Sequence, residues 1–179
     1  MSTTEKTDAS AASGSSTGEL NLGPYFIQRM TGSHDVLDVR DASVAPQTRV
    51  IAFRLKGQAN QQWTFVPAGP EAPGWWYLQS KLVTSFVMTL QPTSILPPSL
   101  PPPPVPIVVM PVQVSNADNQ LWSLVPTETL GYWYIQSKIA VRNDQTPYVI
   151  GVADNGDAAA VLLSFVDYEK QAWGFRPVN

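Results

Sequence analysis

A Gln-x-Trp motif occurs three times in this chain of 179 residues, and each time its tryptophan begins the pattern Trp-x-(Phe/Leu)-x-Pro. The motifs lie at 61–63, 120–122 and 171–173. A second anchor precedes each motif, a glycine followed by an aromatic segment that ends in glutamine, at 23–28, 74–79 and 131–136. Such internal repetition indicates equivalent units that share one core. The units span about 23–67, 74–126 and 131–177.

The first unit shows the local structure most clearly. Short aromatic and apolar runs separated by turn residues predict four strands, at Tyr25–Gln28, Val36–Val39, Val50–Phe53 and Trp63–Val66. Three such units predict an all-β fold, a β-trefoil, in which three four-stranded repeats are related by pseudo-threefold symmetry. A propeller is excluded because it typically needs about four or more blades. We expect the three repeated tryptophans to lie in the shared core.

The repeats define the domain organisation. Residues 1–20 are polar and of low complexity, so we expect a disordered N-terminal tail before a single domain at 21–179. Residues 91–111 are rich in proline, which cannot donate a backbone hydrogen bond to a sheet. We expect 91–111 to be a loop or polyproline II insertion and not a central strand. The sequence leaves open whether this segment binds an aromatic groove of another protein or only stiffens a long loop.

Composition excludes several classes of function. The net charge is −3 with no basic cluster, which argues against nucleic-acid binding. The chain has no cysteine, and its single histidine, His34, has no partners at metal-ligand spacing. We therefore expect no metal, no cofactor and no enzymatic activity. No segment is apolar and long enough to span a membrane or act as a secretory signal, so we expect a cytosolic protein or one released without a classical signal.

The three Gln-x-Trp motifs and the aromatic opening strands resemble the ricin B-type β-trefoil lectin family over essentially everything after residue 22. The resemblance implies that each unit can bind a sugar through an Asp on its second strand, a later aromatic ring and an Asn before the motif. A carboxylate suits adjacent sugar hydroxyls, and a ring suits the C–H face of a pyranose. In the first unit these positions hold Asp38, Phe53, Asn60 and, in the motif itself, Gln61.

The other two units depart from this pattern. In the second unit, Thr89 stands at the Asp position, and counting back from Asn119 puts Val112 at the ring position. In the third unit, the corresponding residues are Gly151, Leu163 (or Phe165 in a shifted register) and Lys170. The resemblance therefore implies one sugar site of the usual type, in the first unit.

Two functions remain open on the sequence alone. The leading hypothesis is a non-catalytic lectin that binds a terminal sugar, with glycans or glycoproteins as partners, and the family resemblance implies a sugar of the galactose type. A single shallow site implies weak affinity, so a homo-oligomer or a multivalent surface would increase the avidity. The alternative is a protein-interaction module, such as a protease inhibitor or an accessory subunit, whose loops, including 91–111, contact a protein partner.

Overall fold

A computed structural model describes residues 22–32, 34–91, 104–113, 117–141, 147–153, 155–162 and 168–179. The predicted tail at 1–20 and the central part of the proline-rich segment, 92–103, lie outside these residues. Leu163 and Phe165, the two candidates for the ring position of the third unit, also lie outside them. In the described part of the chain, no helix is long and apolar enough to cross a membrane.

The described residues form twelve strands joined by turns, four of which are short 3-10 helices, so the all-β prediction is confirmed. Aromatic and β-branched residues recur in these strands, as expected for pleated, half-buried surfaces. Four strands fall in each predicted unit. The strands are β1 Tyr25–Arg29, β2 Val36–Val39, β3 Thr48–Phe53, β4 Trp63–Pro67, β5 Trp76–Ser80, β6 Phe86–Leu90, β7 Val105–Pro111, β8 Trp122–Pro126, β9 Tyr132–Val141, β10 Pro147–Val152, β11 Ala158–Leu162 and β12 Ala172–Pro177.

The first and last strands of the three units close into a ring. All six pairings are antiparallel and run β1–β4–β5–β8–β9–β12 and back to β1. Closure pairs both edges of every strand in the ring, which removes exposed sheet edges. The second and third strands of each unit form a hairpin, and β7 of the second hairpin pairs with both β3 and β11.

The core contains the three repeated tryptophans, which are fully buried, as predicted. Each indole N–H also has a hydrogen-bond partner, as a buried polar group requires. Nε1 donates to a backbone carbonyl in the second strand of the same unit: Trp63 to Leu37 at 2.9 Å, Trp122 to Met88 at 3.0 Å and Trp173 to Ile150 at 2.8 Å. These three bonds fix the correspondence between the units.

The prediction that 91–111 is a loop or polyproline insertion is wrong for its last seven residues, which form strand β7. β7 pairs with β6 over five residue pairs and also contacts the other two hairpins. Of the two prolines in β7, Pro106 is the second residue of the strand and Pro111 is the last. Between them the proline-free run 107–110 keeps its N–H groups for the sheet, and Ile107, Val108 and Val109 are buried.

Candidate functional site

The second strand of the first unit places Asp38 beneath the surface of the hairpin. All four residues of β2 are buried, and Asp38 itself is only 4% exposed. The indole of Trp63 bonds the carbonyl of Leu37, the residue before Asp38. Because consecutive strand residues point to opposite faces, fixing Leu37 also fixes the direction of the Asp38 carboxylate.

Two amide side chains from the turn before β4 hold the Asp38 carboxylate. Asn60 Nδ2 donates to Oδ1 at 2.9 Å, and Gln61 Nε2 donates to Oδ2 at 2.7 Å. Asn60 Nδ2 also donates to the Val39 carbonyl at 3.2 Å, and Gln61 Nε2 to the Arg54 carbonyl at 2.9 Å. Each carboxylate oxygen thus accepts one amide N–H and retains a further lone pair.

Burial raises the pKa of Asp38 above the ordinary aspartate value, because a desolvated carboxylate disfavours its charged form. The exposed carboxylate of Asp41 acts in the same direction, whereas the bonds from Gln61 and Asn60 and the charge of Lys56 oppose the increase in pKa.

Three of the four predicted site residues line one cavity of about 270 Å³. Asp38 and Asn60 provide its polar wall, and Phe53 at the end of β3 provides an aromatic wall that is 37% exposed. Gln61 is fully buried and is not among the lining residues, so it positions Asp38 from behind. Asp41, Lys56 and Gln58 also line the cavity.

Asp41 and Lys56 were not predicted as site residues, although both carry charge at the cavity. Asp41 lies in a 3-10 turn directly after β2 with φ of 56°, in the left-handed region where Asp is one of the more tolerated residues. The Lys56 backbone N–H is held by Gln61 Oε1 at 2.7 Å, and its ammonium lies 4.7 Å from the centroid of the Phe53 ring. A turn signal at 56–58 could have suggested that Lys56 faces the site, but nothing in the sequence indicates the contact with the ring.

The third unit contacts the strand and turn that form the wall of this first-unit cavity. Asp157, in the loop before β11, forms an ion pair with Arg40, the residue before Asp41. Asp157 also forms a β-bridge with Ile51, and Ala52 N–H donates to the Gly156 carbonyl at 3.0 Å. The strand that carries Phe53 is therefore braced by a loop more than one hundred residues away in sequence.

The second unit has a cavity of similar size, about 280 Å³, at the corresponding place. The Trp122 bond to Met88 puts Thr89 at the position of Asp38, as predicted. Gln120 Nε2 donates to Thr89 Oγ1 at 3.1 Å, as Gln61 does to the carboxylate. The residues that line this cavity are uncharged, and they include Gln47, Thr89, Gln91, Met110, Gln113 and Asn119. The cavity therefore offers no charge-assisted hydrogen bond to a sugar hydroxyl.

The sheet register corrects the ring position of the second unit. Val36 pairs with Phe53 in the first hairpin, and the corresponding Val87 pairs with Met110 in the second. The prediction that Val112 occupies the position of Phe53 is therefore wrong, and Met110 occupies it.

The same register relates two other positions of the hairpins. Asp38 pairs with Ile51, and Thr89 pairs with Val108, so Ile51 and Val108 correspond.

The third unit lacks the carboxylate, as predicted. The Trp173 bond to the Ile150 carbonyl puts Gly151 at the position of Asp38. Val149 pairs with Val161, so the backbone of Val161 occupies the position of Phe53. Lys170 is exposed at the end of the turn before β12. Among the residues that the structure describes, no group of three or more His, Cys, Asp or Glu side chains is arranged to hold a metal ion.

No family model and no curated protein sequence matches the chain. Solved structures do match, among them a designed threefold symmetric protein, ThreeFoil, at 21% identity and a TM-score of 0.63, with 85% of this chain and 97% of that chain covered. A ricin B-like lectin from Macrolepiota procera, in complex with lactose, matches at 17% identity and a TM-score of 0.60, covering 88% of this chain and 96% of the lectin. An exo-β-1,3-galactanase from Clostridium thermocellum matches at 18% identity and a TM-score of 0.67, with 87% of this chain but only 30% of the enzyme covered.

These likenesses show the fold. The designed symmetric protein and the ricin B-like lectin from Macrolepiota procera are among the structural neighbours, and the chain covers nearly the whole length of each of these two proteins. The resemblance that the Gln-x-Trp repeats carry is thus matched by the structure as a whole. The galactanase match spans about a third of a longer enzyme.

Proposed function

We propose that the chain is a non-catalytic lectin of β-trefoil architecture, with its sugar site at Asp38, Phe53 and Asn60 of the first unit. The observation that carries this proposal is the single cavity that brings together a buried carboxylate, an exposed aromatic face and an amide. The closed ring of six strands, the three hairpins and the recurring indole bonds support a trefoil with three four-stranded repeats.

Each wall of the cavity suits one part of a pyranose. The free lone pairs of the Asp38 carboxylate accept hydrogen bonds from adjacent hydroxyls, and bonds to a charged acceptor are the stronger kind. Asn60 Oδ1 has no hydrogen-bond partner among the described residues, but it is buried, so a sugar hydroxyl reaches it only if the amide side chain moves. The Phe53 ring packs against the apolar C–H face of the sugar.

A galactose-type terminal sugar is the ligand that we propose. The support is the ricin B-like lectin of similar fold that was solved in complex with lactose, a disaccharide with a terminal galactose. One shallow site of about 270 Å³ suits a monosaccharide better than a long chain. We expect a dissociation constant of about 1 mM, so useful binding requires a multivalent surface.

The test measures retention on immobilised galactose, with release by free sugar, for the wild type and Asp38→Asn. Asparagine keeps the shape of the side chain but removes the charge and one acceptor, so we expect retention to be lost. Thr89→Val, at the corresponding position of the second unit, is the matched control and should be retained like the wild type.

Retention that survives Asp38→Asn would put the sugar site elsewhere and refute the proposed residues. If neither galactose nor a broad glycan array retains the folded wild type, the lectin proposal fails. The chain would then be tested as a protein-interaction module, with candidate protein partners offered to its loops.

A further inference from the structure

The Lys56 ammonium covers an aromatic ring that the proposed site needs for its ligand. Its Nζ lies 4.7 Å from the centroid of the Phe53 ring, within the range of a cation–π contact. Both side chains line the cavity that contains Asp38. The cation is therefore positioned at the same aromatic wall against which a pyranose would pack.

The backbone on both sides of this contact is fixed. Gln61 Oε1 accepts the N–H groups of Lys56 and Gly57, at 2.7 and 3.1 Å. Phe53 is held by its pairing with Val36. The lysine side chain, in contrast, is exposed, so its ammonium can leave the ring without a change in the backbone.

We propose that the Lys56 ammonium competes with the sugar for the face of the Phe53 ring, so that Lys56 sets the affinity of the site for neutral sugars. The inference rests on the proposed sugar site at Asp38, Phe53 and Asn60. A neutral pyranose reaches the ring only when the ammonium has moved away. Binding therefore loses the cation–π contact while it gains the packing of the sugar on the ring.

The size of the effect follows from the exposure of the pair. Cation–π contacts at exposed sites contribute about 0.5–1 kcal/mol, which corresponds to a change of about two- to fivefold in a binding constant. Methionine keeps a long apolar side chain but has no charge. Lys56→Met is thus expected to bind a neutral galactoside about two- to fivefold more tightly than the wild type.

Lys56 also influences the protonation of Asp38, and this second effect on sugar binding is opposite to the competition for the ring. The lysine charge opposes the increase in the pKa of Asp38 that burial causes, so its removal favours protonation of that carboxyl. The effect on the fraction of ionised carboxylate becomes smaller as the pH rises above the pKa of Asp38. An affinity ratio between the variants that is the same at about pH 7.5 and at about pH 8.5 therefore isolates the competition for the ring.

The experiment is an NMR titration of the wild type and Lys56→Met with methyl β-galactoside at about pH 7.5 and at about pH 8.5. The ε-methylene signal of Lys56, assigned by its absence from the variant spectrum, is expected to be shifted by the ring current of Phe53 in the free protein. It should move towards the position of a solvated lysine as the sugar saturates the site. Lys138→Met is the matched control, because the Lys138 ammonium lies 6.0 Å from a different ring, that of Trp75. Its affinity should equal that of the wild type.

Two results would overturn the inference alone. One is sugar binding that Asp38→Asn abolishes but that Lys56→Met leaves unchanged or weakens, which would make the lysine a bystander or a sugar contact. The other is saturation of an Asp38-dependent site without movement of the Lys56 signal. If the wild type, Lys56→Met and Lys138→Met all fail to bind any sugar, the proposed function fails and this inference fails with it.

Discussion

Replacing the buried glutamine of the motif by leucine in the first and second units tests how the carboxylate is held. Gln61→Leu and Gln120→Leu remove side chains that are both fully buried, and leucine has a similar volume. Gln61 bonds the charged Asp38, whereas Gln120 bonds the neutral hydroxyl of Thr89. The two substitutions therefore differ mainly in the charge of the partner that they leave behind.

The expected magnitudes follow from the bonds that are lost. A hydrogen bond to a charged group contributes about 1.5–3 kcal/mol, and one between neutral groups about 0.5–1.5 kcal/mol. The remaining partners of both glutamines are backbone groups of exposed residues, and we expect water to replace the glutamine there in either variant. We expect Gln61→Leu to lower the free energy of unfolding by about 1.5–3 kcal/mol and Gln120→Leu by about 0.5–1.5 kcal/mol.

Urea unfolding at neutral and at acid pH checks both the difference and its cause. The bond from Gln61 lowers the pKa of Asp38, so its loss raises that pKa further. The variant then binds a proton at a higher pH than the wild type, and its deficit should shrink as pH falls through the pKa of Asp38. The deficit of Gln120→Leu should not depend on this titration. Equal losses in the two variants, or a difference between them that does not vary with pH, would refute the reasoning.

Three further predictions follow from other contacts. Sugar binding should decrease on acidification, with a midpoint above the ordinary aspartate pKa of about 3.9, because burial raises the pKa of Asp38 and protonation removes an acceptor. Titration calorimetry between about pH 7 and pH 4 checks this prediction, and a constant affinity would contradict it. Trp173→Phe removes the N–H that donates to the Ile150 carbonyl at 2.8 Å, so it should lower the free energy of unfolding in urea by about 2–4 kcal/mol. A decrease of less than about 1 kcal/mol would contradict this prediction. Gly174→Ala puts a Cβ atom 3.2 Å from Tyr132 Cε1, so it should lower the free energy of unfolding by about 1–3 kcal/mol and shift the NMR signals of that ring. An unchanged Tm would contradict this prediction.

The sequence predicts which residues meet at the first-unit cavity, because these residues lie at fixed distances from a repeated anchor. The indole of Trp63 bonds the residue before Asp38, and the Asn60 amide stands three residues before that tryptophan. Phe53 ends the strand that pairs with β2, so period-two alternation is enough to bring it to the same cavity.

The second unit shows where this counting fails. Gln61 bonds the carbonyl seven residues before it, at Arg54, but Gln120 bonds the carbonyl nine residues before it, at Pro111. Two more residues therefore separate Met110 from its motif than separate the equivalent Phe53 from its own. Counting back from the motif reached Val112 instead of Met110, because the connection had changed in length while the strand pairing had not. High proline content likewise concealed the proline-free centre of β7.

The charged residues around the first site could not be predicted from spacing. Lys56 and Phe53 are neighbours in sequence, but their contact depends on a rotamer. The ion pair between Arg40 and Asp157 joins different units, and its two members show no common motif in the sequence. Such contacts arise from the closure of the fold and not from the repeated pattern.

The brace from the third unit has a consequence for how the repeats relate to each other. Asp157 bridges Ile51, and at the next boundary Arg49 pairs with Val108, which corresponds to Ile51. Asp157 and Arg49 are thus equivalent positions with opposite charges. In a chain built from three identical copies of the first unit, the position of Asp157 would hold an arginine, and this arginine would face Arg40. Three identical copies would lose this ion pair and keep only the backbone contacts at the boundary, so the divergence of the copies strengthens the brace beside the first cavity.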